Sequence, residues 1–99
     1  MQVLYRLEAQ EDVTAARAWY ERQQVGLGPS FQAALRHAED LLRQHPVAFP
    51  IVHGTFRRMV LHRFPYALYY RPLDGARLEI VAVLHQRQDT DVLGERGDV

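Results

Sequence analysis

Ninety-nine residues, 47% of them hydrophobic and none of them cysteine, make one domain with a modest core, because a chain of this size buries only about 60 to 65% of its unfolded surface. The missing cysteines exclude disulfides and thiol chemistry and weaken any zinc reading, in keeping with a reducing cytoplasm. No apolar run approaches the roughly 18 residues of a membrane span, and MQVLYRLEAQED lacks a signal-peptide layout, so a cytoplasmic protein without membrane contact is expected.

The zero net charge hides an uneven distribution. Residues 1–50 carry five arginines against six acids, residues 51–88 six against two, and residues 89–99 one against four. All twelve basic residues are Arg, whose planar, permanently charged fork suits carboxylate and phosphate; a bias toward Arg codons would give the same count.

Along the chain, Gln2 to Glu8 alternates, with Val3, Tyr5 and Leu7 on one side, as a strand with one buried face would. The acids Glu8, Glu11 and Asp12 suit a helix N-terminus, and the stretch to Gln24 is helical material with Val13, Ala16 and Tyr20 on one stripe. Trp19 and Tyr20 are expected in the helical core. Gly26-Leu27-Gly28-Pro29 supplies a stop and restart. A second helix from about Ser30 to Gln44 then places Phe31, Ala34, Leu35, Ala38, Leu41 and Leu42 on an amphipathic face. So short a link makes the two helices an antiparallel hairpin.

Val47 to Thr55, with Pro50 and Gly54, reads as a loop or short edge strand. It leads into FRRMVLHRFPYALYYR, Phe56 to Arg71, a β-hairpin reversing near Phe64-Pro65-Tyr66. Side-chain alternation sends Phe56, Arg58 and Val60 to one face and Arg57, Met59 and Leu61 to the other. The window Ile51 to Pro72 holds no Asp or Glu, so Arg57, Arg58, Arg63 and Arg71 look uncompensated there. Asp74-Gly75-Ala76 is turn chemistry. The nearly continuous apolar run LEIVAVLH, Leu78 to His85, reads as a central strand covered on both faces. Asp89 to Val99 is expected to be a short turn or helix and then a loosely ordered acidic tail. The order of elements predicts an α+β domain over residues 1–99: an N-terminal strand and a helical hairpin on one face of a mainly antiparallel sheet, whose other face is left as a concave working surface.

Ala-Trp-Tyr-Glu at Ala18 to Glu21, Gly-Leu-Gly-x-x-Phe at Gly26 to Phe31, His45-Pro46, Phe49-Pro50, Arg-Arg-x-x-Leu at Arg57 to Leu61, Arg-Phe-Pro-Tyr-x-Leu-Tyr-Tyr at Arg63 to Tyr70 and Ala-Val-x-His-x-Arg at Ala82 to Arg87 follow one another in an order that resembles the RelE/ParE toxin superfamily of type II toxin-antitoxin systems. The ParE-like branch is the most similar. The resemblance spans residues 2 to about 91 and implies a strongly curved sheet of four or five strands. It also implies a growth-inhibiting toxin of a plasmid-stabilisation or stress module, neutralised by an antitoxin of the ParD type whose C-terminal segment wraps over it. ParE-like members are associated with blocking DNA gyrase, whereas RelE-like members cut mRNA on the ribosome.

Cutting RNA through its own 2′-hydroxyl requires a base, an acid and cations on the phosphate. The candidates here are His85 with Arg57, Arg63 and Arg87. Gln86 and Gln88 stand where the resemblance implies a further cation, and no Tyr follows Tyr70, which favours a binding toxin over a nuclease. The plainer reading of His85 is a strand-end histidine bonded to backbone. Arg57, Arg58, Arg63 and Arg71 are candidates for holding an acidic partner or a phosphate backbone, with solvated or ion-paired arginines as the plainer alternative. An amphipathic antitoxin helix is expected in the groove between the helical hairpin and the sheet, with Leu27, Phe31 and Leu35 near its rim. No spacing suggests a metal site or a cofactor.

Overall fold

The computed structural model describes residues 1–88 and 90–97. Its elements in chain order are β1 Gln2–Tyr5, α1 Leu7–Gln23, α2 Leu27–Gln44, β2 Ile51–His53, β3 Phe56–Val60, β4 Tyr66–Pro72, β5 Arg77–His85 and α3 Val92–Arg96. The five strands form one sheet in the order β1-β5-β4-β3-β2. β1 runs parallel to β5, with Val3 opposite Leu78, and every other pairing is antiparallel. The α+β arrangement expected from the sequence is the one observed.

The first helix starts earlier than the alternation suggests. Arg6 is extended at φ −61° and ψ 156°, and the helix begins at Leu7, whose side chain points to solvent at 66% exposure instead of continuing the buried face of a strand. At the far end, Gly26 takes φ +98°, a left-handed conformation in which a Cβ is strained. Glu21 caps this turn: its Oε1 accepts the amides of Gly26 at 3.1 Å and Gly28 at 2.9 Å. Two orphan donors at the start of α2 are thereby satisfied.

α1 and α2 pack on one face of the sheet over Phe31, Leu35, Leu42, Leu68, Tyr70, Leu78 and Ile80. Each large side chain fully buried this way contributes about 1.5 to 3 kcal/mol. At one end an aromatic cluster ties the hairpin to the β3–β4 turn: Tyr20 stacks on Phe31 at 5.4 Å, and Phe64 meets both rings edge-on at 4.9 and 5.3 Å. Trp19, expected beside Tyr20 in the core, is instead 48% exposed, because it faces outward from the stripe that carries Ala16 and Tyr20.

The opposite face of the sheet is partly covered. Phe56, Ala67, Tyr69, Val81, Ala82 and Leu84 form a second apolar cluster, closed by Leu93 from α3. The short helix expected in this stretch is present at Val92–Arg96 and docks on the sheet through Leu93; Asp89, Asp98 and Val99, where the loosely ordered acidic tail is expected to begin and end, lie outside the described residues. Arg96 anchors that helix by two bonds to Asp12 of α1, at 2.6 and 3.1 Å, and by one to the Val81 carbonyl at 2.9 Å. Arg6 adds bonds to the carbonyls of Arg96 and Gly97.

Candidate functional site

Alternation along β3 separates the two adjacent arginines onto opposite faces of the sheet. Arg57 turns to the helical side, where its Nη1 donates to the carbonyls of Val47 at 3.1 Å and Phe49 at 2.7 Å. Through that nitrogen it holds the segment that leads into β2. Arg58 turns to the other side. It lies directly opposite Tyr69 of β4, in a pocket of about 440 Å³ that Val52 and His53 of β2, Gln86, Gln88 and Thr90 beyond β5, and Leu93 of α3 complete. The Arg58 Nε–H is shielded from solvent and meets no acceptor among the described residues.

The remaining arginines do not join it. Arg71 donates its Nε to Glu79 Oε1 at 3.2 Å, and Arg6 reaches the same oxygen at 3.1 Å. Both guanidiniums lie about 6 Å from the centre of the Phe56 ring, at 5.9 Å for Arg6 and 6.0 Å for Arg71, within range of a cation–π contact. Arg63 sits in the β3–β4 connection with φ +73°, and its side chain is exposed, as is that of Arg87.

His85 is on the helical face. Its ring meets Tyr66 edge-on at 5.3 Å, beside a groove shared with Asp12, Trp19 and Arg22. Its Nδ1 accepts the Arg87 amide at 3.0 Å, and its own amide donates to Gln88 Oε1 at 2.7 Å, which matches the plainer reading of a backbone-bonded strand-end histidine. Burial, and then the Asp12 carboxylate, push the adjacent Tyr66 hydroxyl above its ordinary pKa. That is the wrong direction for a base near neutrality. His85 and Arg57 share the helical face but stand apart along β4, His85 opposite Tyr66 and Arg57 opposite Tyr70, so the register does not bring them to one point.

A second concavity of about 520 Å³ runs between β1 and the helical hairpin, lined by Val3, Leu4 and Tyr5 of β1, Val13 of α1 and Leu35 of α2, with Gln10, Gln32, Arg36 and Glu39 beside them. Tyr5 donates to Glu39 Oε2 at 2.6 Å across it. Burial and then that bond push the Tyr5 hydroxyl far above its ordinary value, so the phenol stays protonated.

The family described as ParE toxin of type II toxin-antitoxin system, parDE, matches residues 3–90. The chain belongs to the ParE toxin family. A solved structure titled "Chromosomal ParDE TA system from P. aeruginosa" superposes with a TM-score of 0.62 at 15% identity, covering 86% of this chain and 95% of that one, a likeness of fold. No curated protein matches the chain.

On this ParE-family scaffold the apolar residues expected at the rim of an antitoxin groove divide. Leu27 is half-buried at the start of α2. Phe31, at 0% exposure, belongs to the core and does not line the groove, so its rim placement is corrected; Leu35, though 3% exposed, is part of the groove lining between β1 and the hairpin. That Tyr5, Glu39 and Arg36 meet in that groove is not legible from their spacing, because one comes from a strand and two from the polar flank of a helix. Tyr69, an aromatic whose sequence reading is base stacking or sheet packing, is buried in the sheet directly across the ladder from Arg58. Among the described residues no three His, Asp or Glu side chains converge as a metal site would require, and no helix is long and apolar enough to cross a membrane.

Proposed function

We propose that this chain is the toxin of a type II toxin-antitoxin module, that it stops growth in the cytoplasm by binding DNA gyrase without cutting RNA, and that a cognate antitoxin neutralises it. Membership of the ParE family supports the toxin assignment, and the structural neighbour's title, which names a ParDE toxin-antitoxin system, supports the antitoxin. The observation that carries the choice of binding over cleavage is the dispersal of the nuclease candidates. Arg57 is held by backbone carbonyls on the helical face, while His85 lies against Tyr66 with its Nδ1 occupied by a backbone amide. A phosphate in flight toward cleavage needs its cations and proton carriers within hydrogen-bond reach of one centre. The antitoxin helix is assigned to the apolar groove between β1 and the hairpin, where an amphipathic face finds Val3, Val13 and Leu35.

The test is induction of the chain in growing cells without antitoxin, with plasmid supercoiling and transcript integrity read in parallel for wild type and His85→Ala. Growth arrest with altered supercoiling, intact transcripts and an indifferent His85 is expected. Transcripts cut in the wild type and spared in His85→Ala would replace the gyrase reading with a nuclease, and unimpaired growth would leave a chain that retains only antitoxin binding.

A further inference from the structure

We propose that the pocket around Arg58 is a receptor for a single carboxylate, an Asp or Glu side chain presented by a partner polypeptide. The guanidinium is placed there by strand alternation and backed by Tyr69 directly across the ladder. Its Nε–H is cut off from solvent and has no acceptor among the described residues, and a desolvated charged donor gains most from an ionised acceptor. None of the described residues lining the pocket is acidic, while His53, Gln86, Gln88 and Thr90 add polar groups around the cation.

The charge count selects the ligand class. A nucleic-acid backbone is held by several cations in a track, but Arg57 faces the other side of the sheet with its Nη1 on backbone carbonyls, and Arg71 is paired with Glu79. Among the described residues one arginine lines the pocket, matched to one negative charge. Val52 and Leu93 supply apolar wall, suited to the methylene stem of an acidic side chain. Val52 belongs to β2, the outermost strand of the sheet, so a peptide lying along that edge has direct access. The proposal rests on the geometry of this chain and is independent of whether gyrase is the target.

The test uses the purified chain, following the Arg58 Nε–H resonance by nitrogen-15 NMR during titration with N-acetyl-glutamate N′-methylamide and, separately, with dimethyl phosphate. The expected result is a saturable shift confined to Arg58 with the carboxylate, at least tenfold weaker binding of the phosphate diester, and loss of the response in Arg58→Gln. Gln86→Glu, at an exposed position, keeps the fold and places a carboxylate beside the fork; it is expected to move the Arg58 signal unaided and to abolish the titration. An unmoved Arg58 signal, an equal response at Arg63 and Arg87, undiminished binding in Gln86→Glu, or phosphate binding as tight as carboxylate binding would each overturn the proposal, the last in favour of a nucleic-acid backbone.

Discussion

The Asp12 carboxylate grips the Arg96 guanidinium with both oxygens, at 2.6 and 3.1 Å, and with Oδ2 it also accepts the amide of Val83 at 2.9 Å. One side chain near the start of α1 thus fastens the last helix and satisfies the edge of β5 beyond the reach of β1. Asp12→Ala strands a partly buried guanidinium and a strand amide together, and is expected to destabilise by about 2 to 4 kcal/mol. Arg96→Ala removes only the cation, and the double variant is expected to fall short of the sum by more than about 0.5 kcal/mol. Urea unfolding of the four proteins measures this, and simple additivity would show that the pair is not coupled.

Acid is expected to loosen the helical hairpin at its turn. The amides of Gly28 and Gly26 hold the Glu21 carboxyl below its ordinary 4.5, so the charged form is favoured in the folded state. Its contribution is complete above that ordinary value and fades as pH falls through the lowered one. The protection of the Gly26 and Gly28 amides against exchange, corrected for the intrinsic pH dependence of exchange and followed from pH 6 downward, should fall as that carboxyl takes up its proton. In Glu21→Gln the same step should be absent.

Trp19 and Tyr20, adjacent in sequence, should respond to truncation to very different extents. Tyr20 contacts Phe31 and Phe64, and Tyr20→Ala is expected to cost about 3 kcal/mol as a cavity opens in the aromatic cluster. Trp19 contributes an edge-on contact with Tyr20 at 5.1 Å and stands largely in solvent, so Trp19→Ala should cost less than about 1 kcal/mol. Thermal unfolding of the two variants separates them.

Gly26→Ala meets no atom within 4 Å, yet Gly26 has φ +98°. A loss of about 1 to 2 kcal/mol is expected from backbone strain alone. Gly28→Ala has an ordinary backbone but brings its Cβ to 2.9 Å from Glu21 Oε1, and should disturb the turn through that carboxylate. The two variants are distinguished by acid titration, since only Gly28→Ala should change the pH at which the turn loosens.

Much of this architecture was legible because its signals are local. The amphipathic spacing of Phe31, Leu35, Ala38 and Leu42 marked α2, and the period of two in β3 placed Arg57 and Arg58 on opposite faces. The partners of the arginines were not legible. The acid-free window from Ile51 to Pro72 made Arg57 and Arg71 look uncompensated, but Arg57 is satisfied by carbonyls, which carry no letter in a sequence, and Arg71 by Glu79 just outside the window. Five residues from Val92 to Arg96 are too few to show a period, and the contacts that dock α3, the burial of Leu93, the Asp12–Arg96 pair and the bonds to the Val81, Arg96 and Gly97 carbonyls, all join residues far apart in sequence or involve backbone. Trp19 was misjudged because an apolar ring on the flank of a stripe satisfies the spacing rule as well as one at its centre.

The parallel pairing of Val3 with Leu78 also fixes when this protein can become itself. Synthesis delivers β1 well before its strand partner β5, and long-range pairing of this kind is slow to form. The helical hairpin can close while the chain is still emerging, but β1 waits for β5, and the wall that Leu93 lends to the Arg58 pocket waits for α3. A nascent chain therefore carries its groove-forming helices before it carries a finished sheet, and the surface that α3 completes is assembled only after β5 and α3 have both been made.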